Sequence, residues 1–163
     1  LGSTVIVADP VTRPELADTV RYVDLDTLLA TADIVTVHTP LDDITTHMLD
    51  AATFKKMKKT AYLINAARGP IVDTTALIEA LQRGEIAGAA LDTIEGEAGI
   101  FGVDRSQSGV DNTNLETLKA LPNVEISPHI GFYTDAAVKN MIDISLDDVK
   151  TILVGGHSPH QVN

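Results

Sequence analysis

The chain of 163 residues is long enough for one ordinary domain with a sizeable core, and its 44% hydrophobic content marks a folded globular protein. Twelve Lys and Arg against 23 Asp and Glu leave a net charge of -11, which argues against a nucleic-acid partner and against anionic membrane surfaces. Without cysteine there is no disulfide framework or thiolate chemistry, which fits a cytoplasmic protein; there is also no apolar run of bilayer length and no signal-peptide pattern.

In chain order, short β-branched runs alternate with helical patterns. Residues 4–8, TVIVA, predict a strand and 21–23, RYV, a weaker one. Residues 25–31 predict a short helix capped by Asp24 or Asp26. The run IVTV at 34–37 reads as a buried strand stopped by Pro40, and 50–58 as a helix whose last turns carry lysines, as its dipole favours. YLI at 62–64 is the next strand, and Asp73 or Thr74 caps a helix running through Leu81. Residues 87–91 and 124–126 complete the strands. Continuous apolar runs joined by helices predict parallel strands covered on both faces, a doubly wound α/β sheet. Residues 95–120 read as a long polar insertion. Residues 134–153 read as one amphipathic helix with Ala137, Met141, Ile144 and Leu146 on its apolar side and Gly155-Gly156 beyond its end.

Several polar residues fall at the carboxyl ends of these strands, where α/β sheets place their ligands. Asp9 closes TVIVAD and suits a ribose-binding acid, or else an acid opening a turn before Pro10. Arg68 follows YLIN among Ala66, Ala67 and Gly69, so a flat ring has room against the backbone while the guanidinium grips a carboxylate bidentately. The plainer reading is a surface arginine paired with Asp73. Glu97 lies beyond the strand ending at Asp92, and His129 lies just after the last strand. A carboxylate beside an imidazole orients it and favours its protonated form. Taken singly, each is more simply a core histidine or a solvated acid. Taken together, three strands deliver Arg68, Asp92 and His129 to one sheet edge, and that coincidence favours a site. The spacing of His157 and His160 can suit a metal, but no further ligand stands near, and no metal is expected.

The segments NAARGPIVD, GAALDTIEGE and PNVEISPHIGFYT, in this order and spacing, resemble the signature segments of the D-isomer-specific 2-hydroxyacid dehydrogenases. The resemblance runs over essentially the whole chain. The EGE with its long insertion, the FYT after the histidine and the VN ending look most like the D-lactate dehydrogenase branch. Glu97 separates the chain from the formate dehydrogenase branch, which carries glutamine there. The resemblance implies an oxidoreductase that moves hydride between NAD(H) and a short 2-keto acid/D-2-hydroxy acid pair, pyruvate/D-lactate first. It implies that Arg68 binds the substrate carboxylate, that His129 is the general acid and that Glu97 hydrogen-bonds His129. Asp92 would hold the nicotinamide carboxamide beside Ala66 and Ala67. His38, Thr39 and Pro40 match the family's dinucleotide-contacting turn, and Asp9 would bind both adenosine ribose hydroxyls, favouring NAD over NADP. Tyr133 would line the substrate pocket. A homodimer is implied for the full-length protein.

One departure stands against the family pattern. No G-x-G-x-x-G occurs, and the central first strand of the 3-2-1-4-5-6 order is missing. The expectation is a truncated dinucleotide-binding domain over 1–133, followed by a helix and tail, 134–163, that return to a substrate domain outside the chain. Two other functions compete. One is an NAD-binding corepressor on the same scaffold, which keeps the catalytic residues; the absence of basic tracts and of a long disordered tail favours the enzyme. The other is an inactive fragment.

Overall fold

The structure, a computed structural model, describes residues 2–102, 104 and 112–160. It divides into two compact units, Leu1–His129 and Ile130–Asn163.

The first unit holds two parallel sheets. Strands β1 (Ile6–Val7) and β2 (Arg21–Tyr22) form a two-stranded sheet, preceding helix α1 (Leu25–Thr31). The second sheet has four strands in the order β3 (Ile34–Val37), β4 (Tyr62–Asn65), β5 (Gly88–Leu91) and β6 (Val124–Ile126). Helices α2 (Ala51–Phe54), α3 (Thr74–Gln82) and α4 (Thr113–Ala120) connect its strands. The register is in step across the sheet, with Val37 beside Asn65 and Asn65 beside Leu91.

The core lies on one face of this sheet. Val35, Val37, Leu63, Ala89 and Leu91 alternate inward and meet Phe54, Leu77, Leu115 and Leu118 from the helices. The expectation that both faces are covered fails here. Ile34 is 60% and Tyr62 52% exposed on the opposite face. Strands added in one direction by crossovers of one hand place all their helices on the same side, so α2, α3 and α4 leave the other face open.

Other differences are local. The first strand is two residues long, not five, because β2 alone gives it a partner. The helix expected over 50–58 ends at Phe54, before the lysines. The polar insertion contains α4, capped by Asn112, whose side chain accepts from the Leu115 N–H. Residues 103 and 105–111 of that insertion lie outside the described residues.

In the second unit, α5 (Asp135–Leu153) starts at Thr134, whose hydroxyl accepts from the Ala137 N–H. It buries no side chain, and Met141, Ile144 and Leu146 are exposed. No described helix is long and apolar enough to cross a membrane.

Candidate active site

Because β4, β5 and β6 are adjacent and parallel, their carboxyl ends open at one edge. Asn65 ends β4 with its side chain turned inward, 1% exposed. It donates to the Arg68 carbonyl at 3.0 Å and accepts from the Ala67 N–H at 3.1 Å, so a buried amide ties down the loop that carries Arg68. The Arg68 side chain is exposed and donates through Nη1 to the Ala67 carbonyl at 2.7 Å. The alternative ion pair with Asp73 is not formed. Asp73 caps α3 instead, accepting from the Ala76 N–H at 2.9 Å. Among the described residues Arg68 has no carboxylate partner. Gly69 then passes so close to the next loop that a Cβ would overlap the Ile94 carbonyl.

The β5 and β6 loops interlock. The Asp92 N–H donates to the Asn65 carbonyl at 2.9 Å, and the Asp92 carbonyl accepts from the His129 N–H at 2.8 Å. Ser127 Oγ donates to Asp92 Oδ1 at 2.5 Å. Glu97 is fixed through Oε2, which accepts from the Ile94 N–H at 2.9 Å, while Oε1 lies 2.6 Å from His129 Nδ1. A carboxylate only accepts, so Nδ1 is the donor in this pair and Nε2 is left to serve a ligand. His129 is held at φ 53°, in the left-handed region, which aims its ring back toward Glu97.

A cleft of about 240 Å³ opens on the exposed face at these strand ends, lined by Ile64, Ala66, Ala90, Asp92, Ile126 and Ser127 among others. Two alanines leave a flat wall, and Asp92 supplies a polar lip, which fits a nicotinamide ring and its carboxamide. Asp9 follows β1 and accepts the Val11 N–H through Oδ1 at 2.7 Å, leaving Oδ2 for a ribose hydroxyl. In the turn after β3, His38 Nε2 lies 3.0 Å from Thr36 Oγ1, and the Pro40 carbonyl accepts from Thr45 Oγ1 at 2.7 Å. The Thr39 hydroxyl is buried without a hydrogen-bond partner among the described residues. Tyr133 belongs to the second unit, where its ring meets Phe132 edge-on at 6.1 Å.

The structure thus sets Arg68, Asp92 and the Glu97–His129 pair on loops at one edge of the sheet; Ala66 and Asp92 line the cleft, whereas Ala67, Arg68, Glu97 and His129 are not among its lining residues. Sequence reasoning missed Asn65, Ser127, Glu95 and His47 in the same framework. Glu95 sits in the quoted EGE, but its partner His47 is 48 residues away and no local pattern joins them.

A family model described as "D-isomer specific 2-hydroxyacid dehydrogenase, NAD binding domain" matches residues 1–131. The D-lactate dehydrogenase of Lactiplantibacillus plantarum is 43% identical over 162 residues, 99% of this chain and 49% of that protein. An aromatic 2-oxoacid reductase of Clostridium sporogenes is 44% identical over 142 residues, 87% of this chain and 43% of its own. Among solved structures, a D-lactate dehydrogenase from Sporolactobacillus is 54% identical with a TM-score of 0.95, covering 99% of this chain and 49% of that one. The NAD-complexed D-isomer specific 2-hydroxyacid dehydrogenase of Lactobacillus delbrueckii ssp. bulgaricus is 47% identical with a TM-score of 0.91, over the same shares. The chain spans about half the length of the relatives it matches.

Proposed function

We propose a function from one premise: the chain belongs to the D-isomer-specific 2-hydroxyacid dehydrogenases, through their NAD-binding domain. The protein that carries it reduces a short 2-keto acid to the D-2-hydroxy acid, pyruvate to D-lactate first. The observation that carries this reading is the 2.6 Å Glu97–His129 pair at the sheet edge where Arg68 stands without a carboxylate partner among the described residues. The two elements divide the substrate between them. Arg68 takes the carboxylate in a bidentate grip that fixes the keto acid's plane. His129, oriented through Nδ1 by Glu97, presents Nε2 to the carbonyl oxygen and gives it a proton, while Arg68 helps polarise that carbonyl. When bound, NADH supplies the hydride that reaches the carbonyl carbon. Asp92 holds the carboxamide beside the wall of Ala66 and Ala90, and His38, Thr39 and Pro40 line the dinucleotide's course. Asp9 accepts the ribose hydroxyls and repels a 2′-phosphate, so NAD is taken over NADP. Tyr133 lines the substrate pocket, residues 134–163 return to a substrate domain, and the full-length protein is a homodimer in the cytoplasm.

Relatives whose names specify lactate and aromatic 2-oxo acids are comparably similar to this chain, so the keto acid's side chain is the finer question. The test is NADH consumption by the full-length protein with pyruvate and with an aromatic 2-oxo acid in parallel. Faster turnover per unit concentration of pyruvate supports the proposal. Preference for the aromatic acid moves the substrate but keeps the reaction. NADH binding without turnover of either acid favours the corepressor-like binding protein.

A further inference from the structure

Two histidines, His47 and His129, are the non-glycine residues with positive φ among those described, at 51° and 53°. Each is bonded to one glutamate of the same Glu95-Gly96-Glu97 turn. His129 Nδ1 meets Glu97, and His47 Nε2 lies 2.6 Å from Glu95 Oε1. Gly96, at φ 70°, is the bend that lets neighbouring glutamates serve separate partners.

The Glu95 contacts reach further than a surface ion pair requires. Its second oxygen, Oε2, accepts from the Thr74 N–H at 2.9 Å, at the start of α3. Its own carbonyl accepts from Asn112 Nδ2 at 3.4 Å. The His47 N–H donates to the Pro70 carbonyl at 2.8 Å, two residues past Arg68, and the Leu49 N–H to the Ile71 carbonyl at 3.1 Å. Gly69, the residue between Arg68 and Pro70, is pressed against the Ile94 backbone. The segment after Arg68 is therefore held on one side by the 47–49 strip and on the other by the 94–95 backbone, and the His47–Glu95 contact joins those two sides.

We propose that His47 and Glu95 are a positioning pair: they close a brace around residues 69–74 that holds Arg68 at its working separation from Glu97 and His129. The proposal rests on the dehydrogenase reading for its kinetic consequence, though the brace itself does not. Neither residue touches the substrate. Their effect passes through Gly69 to Arg68, so losing the brace lets the guanidinium wander while His129 keeps its own carboxylate. The substrate's carboxylate is then gripped poorly, whereas the dinucleotide contacts at Asp9, His38 and Asp92 are unaffected. The charged groups facing His47 are Glu95 and Asp73; the one facing Glu95 is His47, with Thr74 as a neutral hydrogen-bond donor.

The test uses the full-length protein with Glu95→Gln and, as a gentler variant, His47→Gln, which keeps a neutral hydrogen-bond donor. In both, the keto-acid KM should rise, by about tenfold or more in Glu95→Gln, as expected for a misplaced binding group, while the NADH Kd from fluorescence titration stays within about twofold. Amide hydrogen exchange supplies a readout independent of turnover: Thr74 and Val72 should quicken by clearly more than β4 and β5, whose amides shift only with the global loss of stability. An unchanged KM with unchanged exchange overturns the proposal. So does a parallel rise in KM and NADH Kd with exchange raised equally at Thr74, Val72 and throughout the sheet, which marks a merely structural role. Should the wild type reduce no keto acid, the dehydrogenase reading fails, and the exchange pattern alone decides the brace.

Discussion

Arg68 is an exposed cation positioned by a buried amide, not by an opposite charge. That makes it available to an anion while its backbone stays fixed by Asn65. On the proposed reaction, Arg68→Lys in the full-length protein keeps the charge and loses the fork, so the keto-acid KM should rise by roughly ten- to a hundredfold with NADH affinity nearly unchanged. Steady-state kinetics beside an NADH titration check this, and near-normal kinetics would sink the assignment. Glu97→Gln should act on turnover instead. It weakens the group that orients His129, so if His129 is the general acid proposed above, kcat should fall by about a hundredfold with the keto-acid KM little changed. The His47–Glu95 pair has a pH signature. The hydrogen bond to Glu95 raises the His47 pKa above 6.5 against the opposing effect of burial. Burial pushes the Glu95 carboxyl up, but the hydrogen bonds from His47 and Thr74 outweigh it and leave the pKa below 4.5. The histidine's contribution to stability is complete below 6.5 and is lost as pH rises through its higher folded value; the glutamate's is complete above 4.5 and is lost as pH falls through its lower one. The difference in melting temperature between wild type and Glu95→Gln should therefore be largest between these limits and shrink above them. A difference that grows with alkaline pH would contradict the pairing. The placement of Arg68, Glu97 and His129 beyond the strand ends was legible because each follows a strand in a recognisable segment. Glu95 and His47 were not, because their contact depends on a left-handed backbone at 47 and a bend at Gly96, neither written in residue type alone.

The elements were most legible where a local hydrogen bond sets an end. Asp24 caps α1 through the Thr27 N–H, Asp73 caps α3 through Ala76, and Thr134 caps α5 through Ala137. Each is a short polar side chain before an apolar periodic run, so sequence and geometry coincide. Legibility failed where tertiary contacts decide. The lysines at 55, 56, 58 and 59 look like a helix end, yet α2 stops at Phe54, whose burial anchors a single turn. Lys56 and Lys58 reach Asp26 and Asp33 instead, at 2.6 and 3.0 Å. Helix α4 was hidden because only Leu115 and Leu118 of its turns are buried, too few to show a period within a polar stretch. Asp73→Ala tests the capping argument at the element closest to the Arg68 loop. It removes one N-cap bond and should destabilise the first unit by about 1 kcal/mol, read by denaturant titration with an unchanged slope. A loss below about 0.3 kcal/mol, smaller than the usual range for a cap, would mean that solvent or Thr74 takes over the orphan N–H groups.

At the scale of the whole chain, the two sheets raise the question of what holds β1 and β2. Isolated two-stranded sheets are marginal in water, and this pair adds no residue to the buried core, which begins at Leu29. Val5, Val11 and Leu16 are exposed around it. In the strand order of this family's sheet, one central strand lies between the positions of β1 and β3, and the turn after it cradles the dinucleotide's diphosphate with backbone N–H groups. No strand joins β1 to β3 among the described residues, and the sequence has no Gly-rich turn of that kind. The fold class was legible because four strand–helix units follow one another in order; the separation into two sheets was legible only as a missing neighbour. Stability should follow this division. In hydrogen exchange on the 163-residue chain by itself, amides of β4 and β5 should report the full unfolding free energy, while those at 6–7 and 21–23 should exchange within a few-fold of unstructured peptide. The same chain should bind NADH weakly or not at all, because the contacts proposed for Asp9, His38 and Asp92 would hold only the ends of the molecule, and the sequence has no Gly-rich turn for its diphosphate. A variant that supplies a strand between β1 and β3 with a Gly-rich turn after it should raise protection at β1 and β3 together and bring NADH binding with it. Strong protection of β1 in the chain alone, together with tight NADH binding, would mean that the two-stranded sheet is stabilised by contacts other than a strand between β1 and β3.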